Sequence, residues 1–120
     1  MSETAVGTSV EQWLEGFGEA LERGDAAAVA ERFAEDGFWR DIVAFTWNIK
    51  TLEGRDAIRD MLEHTLEHTK PRAWRVTEPP AEADGITEAW LEFETEAGRG
   101  SGHLRLRADG QARTLLTTLY

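Results

Sequence analysis

Asp41 occupies an unusual setting. In "DGFWRDIV" (36–43) it lies between Trp39 and an otherwise apolar run. Strand alternation puts Trp39, Asp41 and Val43 on one face and Phe38, Arg40 and Ile42 on the other. A carboxylate held among apolar walls has its charged form disfavoured, and that is how a side chain is tuned for general-base work. Asp41 is therefore the catalytic candidate, set against a structural aspartate paired with an arginine or with backbone amides.

Other chemistry-bearing groups are weaker. "HTLEH" (64–68) puts His64 and His68 one helical turn apart and matches the H-x-x-E-H pattern. Zinc needs a third protein ligand, and no suitable downstream partner stands out. Histidines near a helix end also complement its dipole, so no metal site is expected. His103, Arg105 and Arg107 alternate along one strand, facing away from Leu104 and Leu106. They read as a polar outer face that pairs with Glu88, Glu92 and Trp90 and meets a partner. Trp47 and Asn48 in "FTWNIKT" would rim a pocket mouth or an interface, where Trp is enriched. The glycine cluster "GRGSG" (98–102) lies in a hairpin and opens no helix, so it is no dinucleotide fingerprint and no cofactor is expected.

These residues need a scaffold. At 120 residues the chain is one domain, with residues 1–8 expected as a flexible tail and 9–120 as the folded unit. A formal charge of −10 argues against nucleic acid and anionic membrane surfaces. No apolar stretch reaches the roughly 20 residues that span a bilayer. "MSETAVGTSV" carries no basic and apolar leader, and a cytoplasmic location is expected. The chain has no cysteine and hence no thiolate chemistry.

Ser9 and Gln12 spell a capping box, followed by the stripe Val10, Trp13, Leu14, Phe17 and Leu21. Gly24 should end this helix and Asp25 cap a second, "AAAVAERFAED". "GFWRDIV" reads as a strand. "GRDAIRDMLEHTLEH" reads as a third helix, its stripe being Ile58, Met61, Leu62 and Thr65. A strand is expected around Trp74 and Val76, with Pro79-Pro80 limiting further pairing. Three strands follow, separated by the turn signals Ala97-Gly98 and Asp109-Gly110. The first turn would pair Leu91 with Leu104, Ala89 with Leu106, Glu92 with His103, Trp90 with Arg105 and Glu88 with Arg107. The second would set Leu104 opposite Leu115. Helices followed by a run of strands imply an α+β fold, three helices on a curved, mainly antiparallel sheet.

The progression "GD…AED…W.D…GRDAI" resembles the nuclear transport factor 2-like (cystatin-like) superfamily, with its SnoaL-like polyketide cyclases and ketosteroid isomerases. The longer combination "FWRDIVAFTWNIKTLEGRDAI", "FETEAGRGSGHLRL" and "RTLLTTLY" is similar to the N-terminal domain of bacterial flavin-containing monooxygenases. The resemblance implies a cone-shaped fold. In those proteins a flavin-binding part would follow Tyr120; these 120 residues are expected to bind no flavin, as a severed accessory domain or a free-standing relative.

The resemblance also places Asp41 where the isomerases carry their general base. It places Phe17, Phe33, Leu62 and Gly102 where those enzymes carry their oxyanion donors, which argues against their usual design. What remains is an apolar pocket formed by Phe17, Phe33, Trp39, Leu62, Leu104, Leu115 and Leu119. Gly100 and Gly102 leave room beside it, and Asp41 and Thr117 are its polar groups. Such a pocket suits a small apolar molecule with one polar group. Two alternatives stand beside it. One is an isomerase, cyclase or epoxide-hydrolase type enzyme using Asp41. The other is a domain with a filled core that dimerises or docks a flavin domain through Trp90, His103, Arg105 and Arg107.

Overall fold

The computed structural model describes residues 2–42, 44 and 49–119, with the side chains of 2–9 and 68 outside the description. The readings of Val43, Trp47, Asn48 and the His68 side chain therefore lie outside the described residues. In chain order the elements are α1 (Ser2–Arg23), α2 (Ala26–Ala30), β1 (Phe33–Ile42), β2 (Ile49–Glu53) and α3 (Arg55–Thr69). They continue with β3 (Arg72–Val76), β4 (Ala81–Ala83), β5 (Ile86–Thr95), β6 (Gly98–Arg107) and β7 (Ala112–Leu119). The strands form one mixed, mostly antiparallel, curved sheet in the order β2-β1-β7-β6-β5-β3, with β4 also on β5. The three helices cover one face of it, so the α+β expectation stands.

The helix stripes bury as expected. Val10, Trp13, Leu14, Phe17 and Leu21 are buried from α1, and Ile58, Met61, Leu62 and Thr65 from α3. Gly24 takes a positive φ of 71° at the end of α1, a conformation that suits glycine. Asp25 then caps α2, its Oδ1 accepting from the Ala28 amide at 3.1 Å. At the other end α1 is already helical from Ser2, so Ser9 lies inside the helix and is not its cap. Residues 2–8 include Glu3 and Ala5, good helix formers, and Gly7 costs only about 1 kcal/mol.

The second helix is much shorter than expected. It stops at Ala30, and Phe33 opens β1, pairing with Ala112 of β7. Helix propensity in "ERFAED" loses to a tertiary clamp around Arg32. Trp13 Nε1 donates to the Arg32 carbonyl at 3.1 Å, Arg32 Nη1 donates to the Trp13 carbonyl at 3.1 Å, and the Ala112 amide donates to the Arg32 carbonyl at 2.8 Å. The β1–β7 register shifts between Phe33 and Phe38. Gly37 permits this, because a Cβ there would lie 2.8 Å from the Ala112 carbonyl oxygen.

The hairpin register also differs from expectation. Leu91 pairs with Gly102, Ala89 with Leu104, Trp90 with His103, Glu88 with Arg105 and Glu92 with Ser101. The tight turn is Glu96-Ala97, between Thr95 and Gly98, and the whole pairing slips by two residues. An even slip preserves every side chain's face, so the inner and outer assignments survive. Leu104 opposite Leu115 is as expected. Two short strands, β2 and β4, carry no sequence signal of comparable strength and were not anticipated.

Candidate functional site

β1 and β7 run parallel at the centre of the sheet and set Asp41 beside Thr117 and Trp39 beside Leu115. Asp41, Trp39 and Thr117 are all fully buried. Thr117 Oγ1 donates to Asp41 Oδ1 at 2.7 Å, and Trp39 Nε1 donates to Thr117 Oγ1 at 2.7 Å. The threonine hydroxyl is thus both acceptor and donor in a three-residue relay, a use that its single O–H and lone pairs permit. Asp41 is the only buried charged side chain among the described residues.

The expected pocket residues do gather around this relay, as packed core. Trp39 stacks on Phe33 at 5.7 Å between ring centroids and meets Phe17 at 5.7 Å. Leu115 and Leu104 pair behind them, and Leu119 is half-buried opposite Gly100. The space over Gly100 is occupied by the ring of Phe93, which a Cβ at that position would strike. A Cβ at Gly102 would lie 3.0 Å from the Leu116 carbonyl oxygen. Neither Asp41 nor Thr117 lines any of five surface grooves of 390–560 Å³. Of the expected set, Leu62 alone reaches the 560 Å³ groove between α1 and α3.

A second polar pair is buried at the α3–β3 junction, and it carries no motif. Lys70 caps α3 in the left-handed region (φ 47°), and Ala73 has φ 58°. The β3–β5 register shifts between Arg72 and Arg75, a bulge of the kind that re-aims a side chain. Trp74 stacks on Phe93 at 4.2 Å and meets Phe17 edge-on at 5.0 Å. Its Nε1 and the hydroxyl of Thr69 are buried without a hydrogen-bond partner among the described residues.

The outer sheet face holds the interface candidates. Trp90 is 51% exposed and packs against His103 with ring centroids at 4.5 Å. Glu88 pairs with both His103 (3.2 Å) and Arg105 (3.3 Å). Arg107 reaches Asp36 (3.8 Å) and Asp109 (3.1 Å) rather than Glu88, and Glu92 pairs with Arg75 of β3 at 2.6 Å. The two-residue slip accounts for these exchanges. Burial lowers the His103 pKa from its ordinary value, and Glu88 opposes the shift. His64 is exposed; its Nδ1 lies 2.7 Å from the Asp60 carbonyl oxygen, a contact that raises its pKa, assisted by the Asp60 charge. No group of three metal-ligating side chains occurs among the described residues. No helix there is long and apolar enough to cross a membrane.

A profile of the SnoaL-like domain matches residues 10–115. No curated protein matches the sequence. Among solved structures, a domain of unknown function with a cystatin-like fold from Nostoc punctiforme superposes with a TM-score of 0.79 at 16% identity. That match covers 98% of this chain and 78% of the other. A ketosteroid isomerase-like protein from Erwinia carotovora atroseptica gives 0.67 at 16% identity, covering 93% and 94%. The orange carotenoid protein of Anabaena (Nostoc), in a structure binding canthaxanthin, gives 0.65 at 16% identity, covering 87% of this chain and 34% of that one. At these identities the likeness establishes the fold.

Proposed function

Because the chain belongs to the SnoaL-like domain family, we propose that it is a small-molecule-binding domain whose interior takes a largely apolar ligand with Asp41 as a polar anchor. The observation that carries this reading is the buried relay. A carboxyl group fully removed from water is expensive to bury, and the sequence keeps one on the inner face of the sheet, bonded to Thr117 at 2.7 Å. That a protein sharing this fold over about a third of its chain was solved binding canthaxanthin supports an apolar ligand. The resemblance to flavin monooxygenase N-terminal domains supports a role accessory to a flavin-binding domain.

The test is calorimetric titration of the wild-type chain and Asp41→Asn with decan-1-ol, an apolar chain with one donor. Wild type should bind it, and the variant should bind about tenfold more weakly, since a hydrogen bond to a charged group contributes about 1.5–3 kcal/mol. Equal affinities would remove Asp41 as the anchor. An isomerase or hydrolase reading requires in addition that Asp41→Asn abolish turnover of a ligand it still binds.

A second reading rests on Trp90. We propose that the outer sheet face meets a second copy of this chain. It presents Trp90 at 51% exposure with Phe38 and Ile49, the other large exposed hydrophobics among the described residues. The acid–base pairs on that face are locally neutral, so they add nothing to the −10 charge that keeps two copies apart. Trp90→Lys should convert a dimer to monomer in sedimentation. A wild-type monomer would leave the face for another domain.

A further inference from the structure

The polar groups left without partners lie away from Asp41, at the α3–β3 junction. Trp74 Nε1 and Thr69 Oγ1 are each buried with no partner among the described residues, and Thr69 is only 5% exposed overall. Native proteins leave few such groups, and each requires a cause. An indole nitrogen is a donor only, whereas a threonine hydroxyl donates or accepts. Each can therefore donate to an acceptor. Backbone strain points the same way. Ala73 holds a φ of 58° in the bulge that precedes Trp74, a conformation costly for a residue with a Cβ. Phenylalanine would fill an apolar site without an orphaned N–H.

The 560 Å³ groove between the ends of α1 and α3 adjoins this junction. Its apolar lining is Leu21, Leu62, Leu66 and Pro71. Leu62, Leu66 and Thr69 lie at i, i+4 and i+7, on one face of α3. Phe17, one turn before Leu21 on α1, packs edge-on against Trp74. Neither Thr69 nor Trp74 lines the groove itself; each adjoins it through a residue one turn from its lining, Thr69 following Leu66 on α3 and Trp74 packing on Phe17 before Leu21 on α1. Three cations and three carboxylates ring the groove, so its formal charge is nil. The C-terminal ends of α1 and α3 add partial negative charge, which disfavours an anion.

We propose that this groove is the mouth of the interior site, and that Trp74 Nε1 and Thr69 Oγ1 donate to the carbonyl oxygen of an uncharged, elongated apolar ligand. The proposal rests on the reading above that the interior takes an apolar molecule, and it adds the mouth and the acceptor. By pairing order, β1 and β3 are separated by β7, β6 and β5. The carbonyl end is therefore distinct from the Asp41 end.

The full-length chain, labelled with ¹⁵N, is titrated with decan-2-one, decan-1-ol and decanoate while the Trp74 indole N–H resonance is followed, assigned through Trp74→Phe. Decan-2-one should shift that resonance and bind about tenfold tighter than decanoate. Trp74→Phe and Thr69→Val should each weaken ketone binding about five- to tenfold. Thr69→Val is nearly isosteric and serves should Trp74→Phe not fold. Ketone binding that neither variant weakens overturns the proposal and leaves the apolar-ligand reading standing, as does binding of decan-1-ol alone. Binding of decanoate in preference to the ketone also overturns it. If none of the three probes binds, both are overturned.

Discussion

The interior holds two polar clusters, and their accounting runs in opposite directions. At the β1–β7 seam, Trp39 donates to Thr117 and Thr117 to Asp41, both at 2.7 Å. At the α3–β3 junction, Thr69 and Trp74 bury a hydroxyl and an indole N–H that meet no partner among the described residues. A buried network with its bonds made specifies one arrangement, whereas a buried group with none is costly. The difference teaches that a conspicuous buried residue need not be a ligand's sole polar contact. Asp41 draws the eye because it is charged, but a hydroxyl already serves it.

The largest effect should come from breaking the satisfied cluster. Thr117→Val removes the acceptor of one buried bond and the donor of another, and should lower urea stability by about 3 kcal/mol. A change under about 1 kcal/mol would show that the relay is not formed. Gly100→Ala comes next, since its methyl would strike the ring of Phe93. Overpacking of this kind should cost about 1–3 kcal/mol in the same assay. The sign reverses at the unsatisfied cluster. Without ligand, Thr69→Val should raise stability by about 1 kcal/mol, because a hydroxyl that bonds nothing gives way to a methyl. Destabilisation there would mean that the hydroxyl has a partner, and the comparison would collapse.

The smallest effect belongs to the surface. The folded-state pKa of His103 lies below its ordinary value of 6.5. Its contribution is therefore fully present above pH 6.5 and is lost as pH falls through the lower folded value. The shift at exposed His64 has the opposite sign: its contribution is present below 6.5 and fades as pH rises through the raised folded value. Melting curves from pH 7.5 to 5 should show His103→Gln flattening the acid-side loss. An unchanged slope would assign that loss to carboxylates.

Much of this was legible in the sequence, for physical reasons. Helix stripes and strand alternation put Trp39 and Asp41 inward and Phe38 and Arg40 outward. An error of two in the hairpin register left every face correct because the strand period is two. Phe33 was misplaced in a helix because local propensity in "ERFAED" ignores the Arg32 clamp with Trp13. β2 and β4 are five and three residues long and lack periodicity to read. The Thr69–Trp74 cluster was invisible because the bulge rests on alanine at a positive φ, where sequence reading looks for glycine.

The parallel seam has a consequence for the timing of folding. Thr117 and Asp41 are 76 positions apart in the chain, and Trp39 and Thr117 78. On a ribosome, β1 and β2 emerge early as a hairpin with one edge bare, and the strand that covers that edge is the last one described. Pairing at such separation is slow because the intervening loop must close first. Until then the aspartate has no threonine and the Trp39 side of the core stays wet. The nascent chain thus carries an open strand edge and an unpaired Asp41 until β7 is made, and both are resolved in that one step.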